Sequence, residues 1–178
     1  MEELYFELHD NEFDNIGYTH KRIIARAFVI NDENQIGILH IKGDDIFGHR
    51  DYYETSGGGV DEGETKEEAI LRELDEEIGF KCAIISYLGC VNDEYNLIKR
   101  KNENHYFLCK TISKTKIHYV SEGDSLIESV CWYSPKDFLK IYDRMQDTPI
   151  SRLVYNRELP FAKLVVSMLE KNIFWKYS

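Results

Sequence analysis

Residues 57–79, GGGVDEGETKEEAILRELDEEIG, set a glycine triplet just ahead of a segment dense in glutamate. Carboxylates packed this closely repel one another, so the segment is either an acidic, solvated helix or a place that holds something positive. Its local structure follows from composition. Thr65 to Ile78 is rich in strong helix formers, Thr65 can cap the start, and Gly79 can end the helix in a left-handed turn. On a wheel of about 100° per residue, Ile70, Leu71, Leu74 and Ile78 fall in one sector, which must be buried. Glu73, Glu76 and Glu77 fall in the adjacent sector, because spacings of three and four bring side chains together. Glu68 and Asp75 point elsewhere.

Three carboxylates therefore converge beside a buried stripe. Like charges at this spacing destabilise a bare helix by roughly 0.2–0.5 kcal/mol per pair. A hard divalent cation such as Mg²⁺ or Mn²⁺ prefers oxygen ligands and would turn that repulsion into coordination. Arg72 stands at the spacing to pair with Glu76 and orient it. Gly57, Gly58 and Gly59 let the backbone bend sharply, and a carbonyl there can complete a metal shell. Glu64, at the helix start, is favoured by the helix dipole and can buttress the loop. Taken from the wheel alone, a solvated acidic face remains the competing reading.

The spacing adds a second line of argument. The stretch fits G-x5-E-x7-R-E-U-x-E-E-x-G-U, with U apolar, through Gly58, Glu64, Arg72, Glu73, Leu74, Glu76, Glu77, Gly79 and Phe80. This is the Nudix box, and the chain resembles the Nudix (MutT-like) hydrolases. The resemblance implies an α/β/α sandwich with the box as loop, helix and loop. It also implies Mg²⁺- or Mn²⁺-dependent cleavage of a pyrophosphate bond in a nucleoside diphosphate linked to another group. Carried onto matching positions, Glu73, Glu76 and Glu77 become metal ligands, the Gly58 carbonyl an additional one, and Arg72 and Glu64 orienting residues. The general base varies across the family between a box glutamate, here Glu76 or Glu73, and an acid on a later loop or strand. Glu122, Asp124 and Glu128 stand in that later region, and Glu122 and Glu128 are taken as the candidates. Many relatives carry a proline before the glycine triplet where this chain has Ser56, which leaves the turn less rigid.

The remaining chain reads as a mixed sheet with terminal helices, an α/β or α+β architecture. RIIARAFVIN (22–31) and QIGILHIK (35–42) form a hairpin about the turn-like DEN. DYYET (51–55), CAIISYLGCVND (82–93), NHYFLCKTI (104–112) and ESVCWYS (128–134) are further strands, with a polar loop around Lys99 to Lys101. Ser134-Pro135 opens a helix through about Met145, and PFAKLVVSMLEKNIF (160–174) makes a C-terminal helix. Residues 1–178 are expected to form a single domain, with roughly the first 20 residues adding a strand or a homodimer element.

Composition narrows the partners. The net charge of −10 argues against a broad nucleic-acid face, since phosphate backbones demand a positive footprint. A small phosphorylated substrate can still be reached through a bound cation. No apolar run approaches the roughly 20 residues that span a bilayer, and the acidic start lacks a signal-peptide pattern, so a cytoplasmic protein is expected. The four cysteines are dispersed and read as reduced, buried thiols, and the six histidines show no metal-ligand spacing.

The substrate expected is a nucleoside triphosphate, a modified nucleotide or a nucleotide sugar. A non-catalytic nucleotide sensor and a dinucleoside polyphosphate hydrolase are the alternatives. Tyr95, 16 residues after Gly79, stands near where the latter carry a tyrosine. Arg26, Arg50 and Tyr95 are the candidate substrate contacts.

Overall fold

The computed structural model describes residues 3–120 and 123–171. Eight strands form one mixed sheet: β1 (Leu4–Glu7), β2 (His20–Ile30), β3 (Ile36–Asp45), β4 (Gly48–Glu54), β5 (Ser56–Gly59), β6 (Phe80–Tyr95), β7 (Arg100–Lys114) and β8 (Ile127–Tyr133). Among the described residues three α-helices accompany it: α1 (Lys66–Ile78), α2 (Pro135–Phe138) and α3 (Pro149–Glu170). The main path of the sheet runs β1-β6-β7-β2-β3-β4, with β5 joined to β2 and β8 to β3. The architecture is the mixed α+β one expected. No helix among the described residues is long and apolar enough to cross a membrane.

The sheet carries α1 on one face and α3 on the other, and strand alternation explains which residues meet which helix. Ala27 pairs with Ser56, whose hydroxyl reaches Glu77, so that face belongs to α1. Alternate residues point the other way. Phe28 meets Phe138 of α2 at 6.0 Å between ring centroids, and Tyr106 stacks on Phe161 of α3 at 4.2 Å. Both α1 and α3 begin with a capping box, Thr65 with Glu68 and Thr148 with Ser151, and α1 ends at Gly79 with φ 71°.

The N-terminal segment supplies β1, paired in parallel with β6. Gly89 permits this docking, since a Cβ there would lie 2.0 Å from the Leu4 carbonyl oxygen.

Three expectations need correction. The polar loop around Lys99 to Lys101 is shorter than its composition suggests. A 3-10 turn covers Asn96–Ile98, Lys99 takes a left-handed conformation, and Arg100 already begins β7. The helix opened by Ser134-Pro135 stops after one turn and continues as 3-10 over Leu139–Arg144. Phe138, Ile141, Tyr142 and Met145 are all buried there, the i, i+3, i+4, i+7 face that made the segment read as one helix. Finally, Pro160 does not open the C-terminal helix; it lies inside α3, which starts at Pro149. The carbonyl it leaves without an N–H belongs to exposed Asn156, within reach of water.

Beneath this packing lies a buried ionic knot. The Arg157 guanidinium has no solvent exposure and contacts Glu54 Oε1 at 2.7 Å, the Tyr95 hydroxyl at 2.7 Å and the Tyr106 hydroxyl at 3.0 Å. Burial alone would raise Glu54, but Arg26, Arg157 and Arg50 bring it down to about 2. Removing one member of such a cluster leaves uncompensated buried charge. Arg157→Met is expected to lower stability by roughly 3–5 kcal/mol in chemical denaturation; a loss below about 1 kcal/mol would show that the cluster is not holding the fold.

Candidate functional site

A cleft forms because two neighbouring strands part. β2 and β3 pair only at Val29–Gly37 and Ile30–Ile36. From there β2 continues along β5, while β3 takes β4 and β8. The gap is a cavity of about 380 Å³. Arg22 and Arg26 of β2 line one wall and Leu39 and Ile41 of β3 another, with the β5 glycines and the acids of α1 beneath.

The glycine loop and α1 are fastened by Arg72. Its Nε and one Nη grip both oxygens of Glu64 at 2.8 and 2.9 Å, and that Nη also donates to the Gly59 carbonyl at 3.1 Å. The other Nη donates to Glu73 Oε1 at 2.7 Å and stands 3.7 Å from Glu76. These contacts tie the loop to the helix through Arg72 and Glu64. A Cβ at Gly58 would fall 2.2 Å from Glu73 Oε1, so a larger residue there would displace that carboxylate.

Glu73, Glu76 and Glu77 all line the cavity, and Glu73 and Glu77 are buried. Burial pushes Glu73 up, and Arg72 opposes this only in part. Glu77 rises to about 8 through burial, with the Glu73 and Asp124 charges adding to it. Its hydrogen-bond partners among the described residues are neutral, the Ser56 hydroxyl and the Gly57 N–H at 2.9 Å. Ser56 thus holds a buried carboxylate that a proline at the same position could not reach.

The oxygens line one space without closing on a common point, because Glu73 is turned to Arg72 and Glu77 to Ser56. An all-oxygen donor set, buried and short of positive charge, fits a hard divalent cation.

Other expected residues are distributed unevenly. Arg26 lines the cavity, held by Glu54 at 2.9 Å and by Asn104 at 3.1 Å. Arg50 also lines it, pairing with Asp45 and donating to the Tyr52 hydroxyl at 2.7 Å. Tyr95 is not brought to the cavity. It is buried, with its hydroxyl accepting from Arg157 and its ring edge-on to Phe47. Glu128 is likewise not among the cavity residues; it pairs with His40 at 2.9 Å and Lys42 at 3.5 Å. Glu122 lies outside the described residues. Asp124, two positions further on, is buried and lines the cavity.

The sequence reading did not single out Arg22, Glu54, Arg157 or Glu158. Glu158 accepts from Thr55 N at 3.1 Å and from Thr55 Oγ1 at 2.6 Å. It thereby ties α3 to the joint between β4 and the glycine loop. A helix-wheel position facing the sheet was the available signal for Arg157 and Glu158.

Comparison with known proteins supplies an independent line. The NUDIX domain profile matches residues 20–154. Among solved structures, a MutT protein from Methanosarcina mazei is similar, with TM-score 0.58 and 18% identity over 84% of this chain and 99% of that one. A NUDIX hydrolase from Nitrosomonas europaea aligns with TM-score 0.57 and 16% identity over 76% of this chain and 86% of that one. A UDP-X diphosphatase gives TM-score 0.54 and 17% identity over 88% of this chain and 66% of that one. Curated protein sequences return no significant match.

The electrostatics of Glu77 predict a pH dependence. A carboxyl whose folded value is raised binds its proton more tightly when folded, so it leaves stability intact at low pH and removes stability as pH rises. Between the ordinary carboxylate value and about 8, cation-free protein should lose stability by up to about 1.4 kcal/mol per pH unit. Glu77→Gln should flatten that loss in urea melts across pH; an equally steep decline in Glu77→Gln would assign it elsewhere.

Proposed function

The chain belongs to the Nudix family and is a pyrophosphate-cleaving hydrolase, and on that premise we propose that it acts, with Mg²⁺ or Mn²⁺, on a nucleoside diphosphate linked to a further group. A nucleoside triphosphate, a modified nucleotide or a nucleotide sugar meets this description. The observation that carries the reading is the set of Glu73, Glu76 and Glu77, the first and last of them buried, facing one cavity. A cavity of about 380 Å³ falls in the size range of small-molecule sites.

Glu73, Glu76 and Glu77 would hold the cation, with the Gly58 carbonyl as a further donor. When bound, the ion supplies charge neutralisation at the phosphoryl oxygens and acidifies water. The chain's own residues do the positioning. Arg72 keeps Glu73 and Glu64 in place, and the Gly57 N–H and Ser56 hydroxyl keep Glu77 in place. Arg22 has no ion-pair or hydrogen-bond partner among the described residues and borders the same cavity, so its guanidinium is available to a phosphate. Arg26 and Arg50 add positive potential while engaged with Glu54 and Asp45. Glu76 serves as base toward the attacking water, and Asp124 is the second acid placed to take that part.

A panel of nucleoside triphosphates, modified nucleotides and nucleotide sugars, assayed with Mg²⁺ and with Mn²⁺, tests the reading. Release of phosphate, pyrophosphate or nucleoside monophosphate is expected from at least one class. Glu76→Gln should reduce kcat by about 10²–10⁴, and Arg22→Ala should act mainly on KM. Turnover unchanged in Glu76→Gln, or tight nucleotide binding with no turnover in the native chain, would contradict it.

A further inference from the structure

A second cluster of ligating side chains sits where β6 and β7 run side by side. Cys90 and His105 are directly paired across these strands, and Glu103, two residues before His105, points to the same face. That face is the one α1 covers, opposite the Tyr106 and Arg157 side. The Cys90 Sγ, a Glu103 carboxylate oxygen and a His105 ring nitrogen all lie within 4.8 Å of one another. None of the three lines the acidic cavity.

Two of the three ligands, His105 and Glu103, have an outer partner that orients them. The Tyr87 hydroxyl sits 2.7 Å from His105 Nδ1, leaving Nε2 toward Glu103 Oε1 at 2.8 Å. Lys21 Nζ holds the second Glu103 oxygen, Oε2, at 2.5 Å. An imidazole whose far nitrogen is bonded to a fixed polar group is the arrangement that metal-binding histidines adopt. His105 is 5% exposed, and burial holds it below the usual histidine range, hence neutral. Glu103 keeps some exposure, so solvent can reach the cluster.

We propose that Cys90, Glu103 and His105 form a second metal site, which takes one zinc-class divalent transition ion with solvent as the fourth ligand. The donor set of sulfur, nitrogen and oxygen distinguishes it from the all-oxygen set on α1 and disfavours Mg²⁺. Burial and the Glu103 charge keep the Cys90 thiol protonated, up to about 11. The entering ion therefore displaces one proton from sulfur to solvent and takes the place of the hydrogen bond between Glu103 and His105. The single proton of His105, on Nε2 while it is donated to Glu103, moves to Nδ1, where the Tyr87 hydroxyl oxygen accepts it, and Nε2 is freed for the ion. Because Cys90 is also in register with Tyr5 of β1, the ion clips together β6 and β7 beside the edge where β1 docks.

Titration of the full chain with Co²⁺, followed by absorbance, tests this. One equivalent should produce visible ligand-field bands and a near-ultraviolet thiolate-to-cobalt band, and Zn²⁺ should bleach both. Cys90→Ser should lose the thiolate band while keeping its circular dichroism, and Glu76→Gln should retain it. Tyr87→Phe should weaken binding by about 10-fold or more. If Cys90→Ser fails to fold, Glu103→Gln must still shift the ligand-field bands. Absence of a thiolate band in the native chain would overturn the site. So would a band persisting in Cys90→Ser, which would point to Cys82, Cys109 or Cys131, or bands that do not move in Glu103→Gln.

Discussion

The Arg157 guanidinium lies between the sheet and the C-terminal helix, against Glu54, which lines the cavity. It binds Glu54 at the end of β4, the hydroxyls of Tyr95 on β6 and Tyr106 on β7, and its own neighbour Glu158. Glu158 in turn grips Thr55, one residue before the glycine loop begins. Burying this much charge is expensive unless each member is paired, so the knot admits one arrangement of the strands around it. The loop that brings Gly58 against Glu73 thus starts from a point fixed by a helix about 100 residues later in the chain.

From that fixed point the acidic site can be built against its own repulsion. Arg72 balances Glu64 and Glu73 but stands further from Glu76, and Glu77 is left with only neutral donors among the described residues. The folded chain holds carboxylates that burial and one another push toward protonation. Carboxylates held in this way would be relieved by an entering cation, which is the physical basis of the divalent dependence proposed above. Arg22, Arg26 and Arg50 line the same cavity as these acids.

Much of this was legible in the residues. The helix over 65–78, its Thr65 cap and its Gly79 stop follow from residue type and spacing, and the structure keeps them, although Leu71 of the expected apolar stripe is only half-buried while Glu73 and Glu77 are buried. The hairpin of β2 and β3 and the strand β8 also fall where alternation and β-branched content place them. The failures have physical causes. Pro160 was read as a helix start because prolines open helices, whereas the cap that opens α3 is Thr148 ahead of Pro149. Arg157 and Glu158 go unnoticed in the sequence because hydropathy cannot see that buried charges are paired by residues distant in sequence. Ser56 read as a loosened proline, although its hydroxyl reaches a carboxylate 21 residues away. Glu128 read as a possible base, but it belongs to a surface pair with His40 and Lys42.

The central claim is that Glu73, Glu76 and Glu77 form the seat of a divalent cation. Crystals of the protein grown with Mn²⁺, measured near the manganese absorption edge, address it directly. The account predicts an anomalous peak bounded by the Glu73, Glu76 and Glu77 carboxylates, with Glu73 turned away from Arg72 toward the ion. A cavity without a peak at saturating Mn²⁺, or a peak that none of the three carboxylates touches, would contradict it.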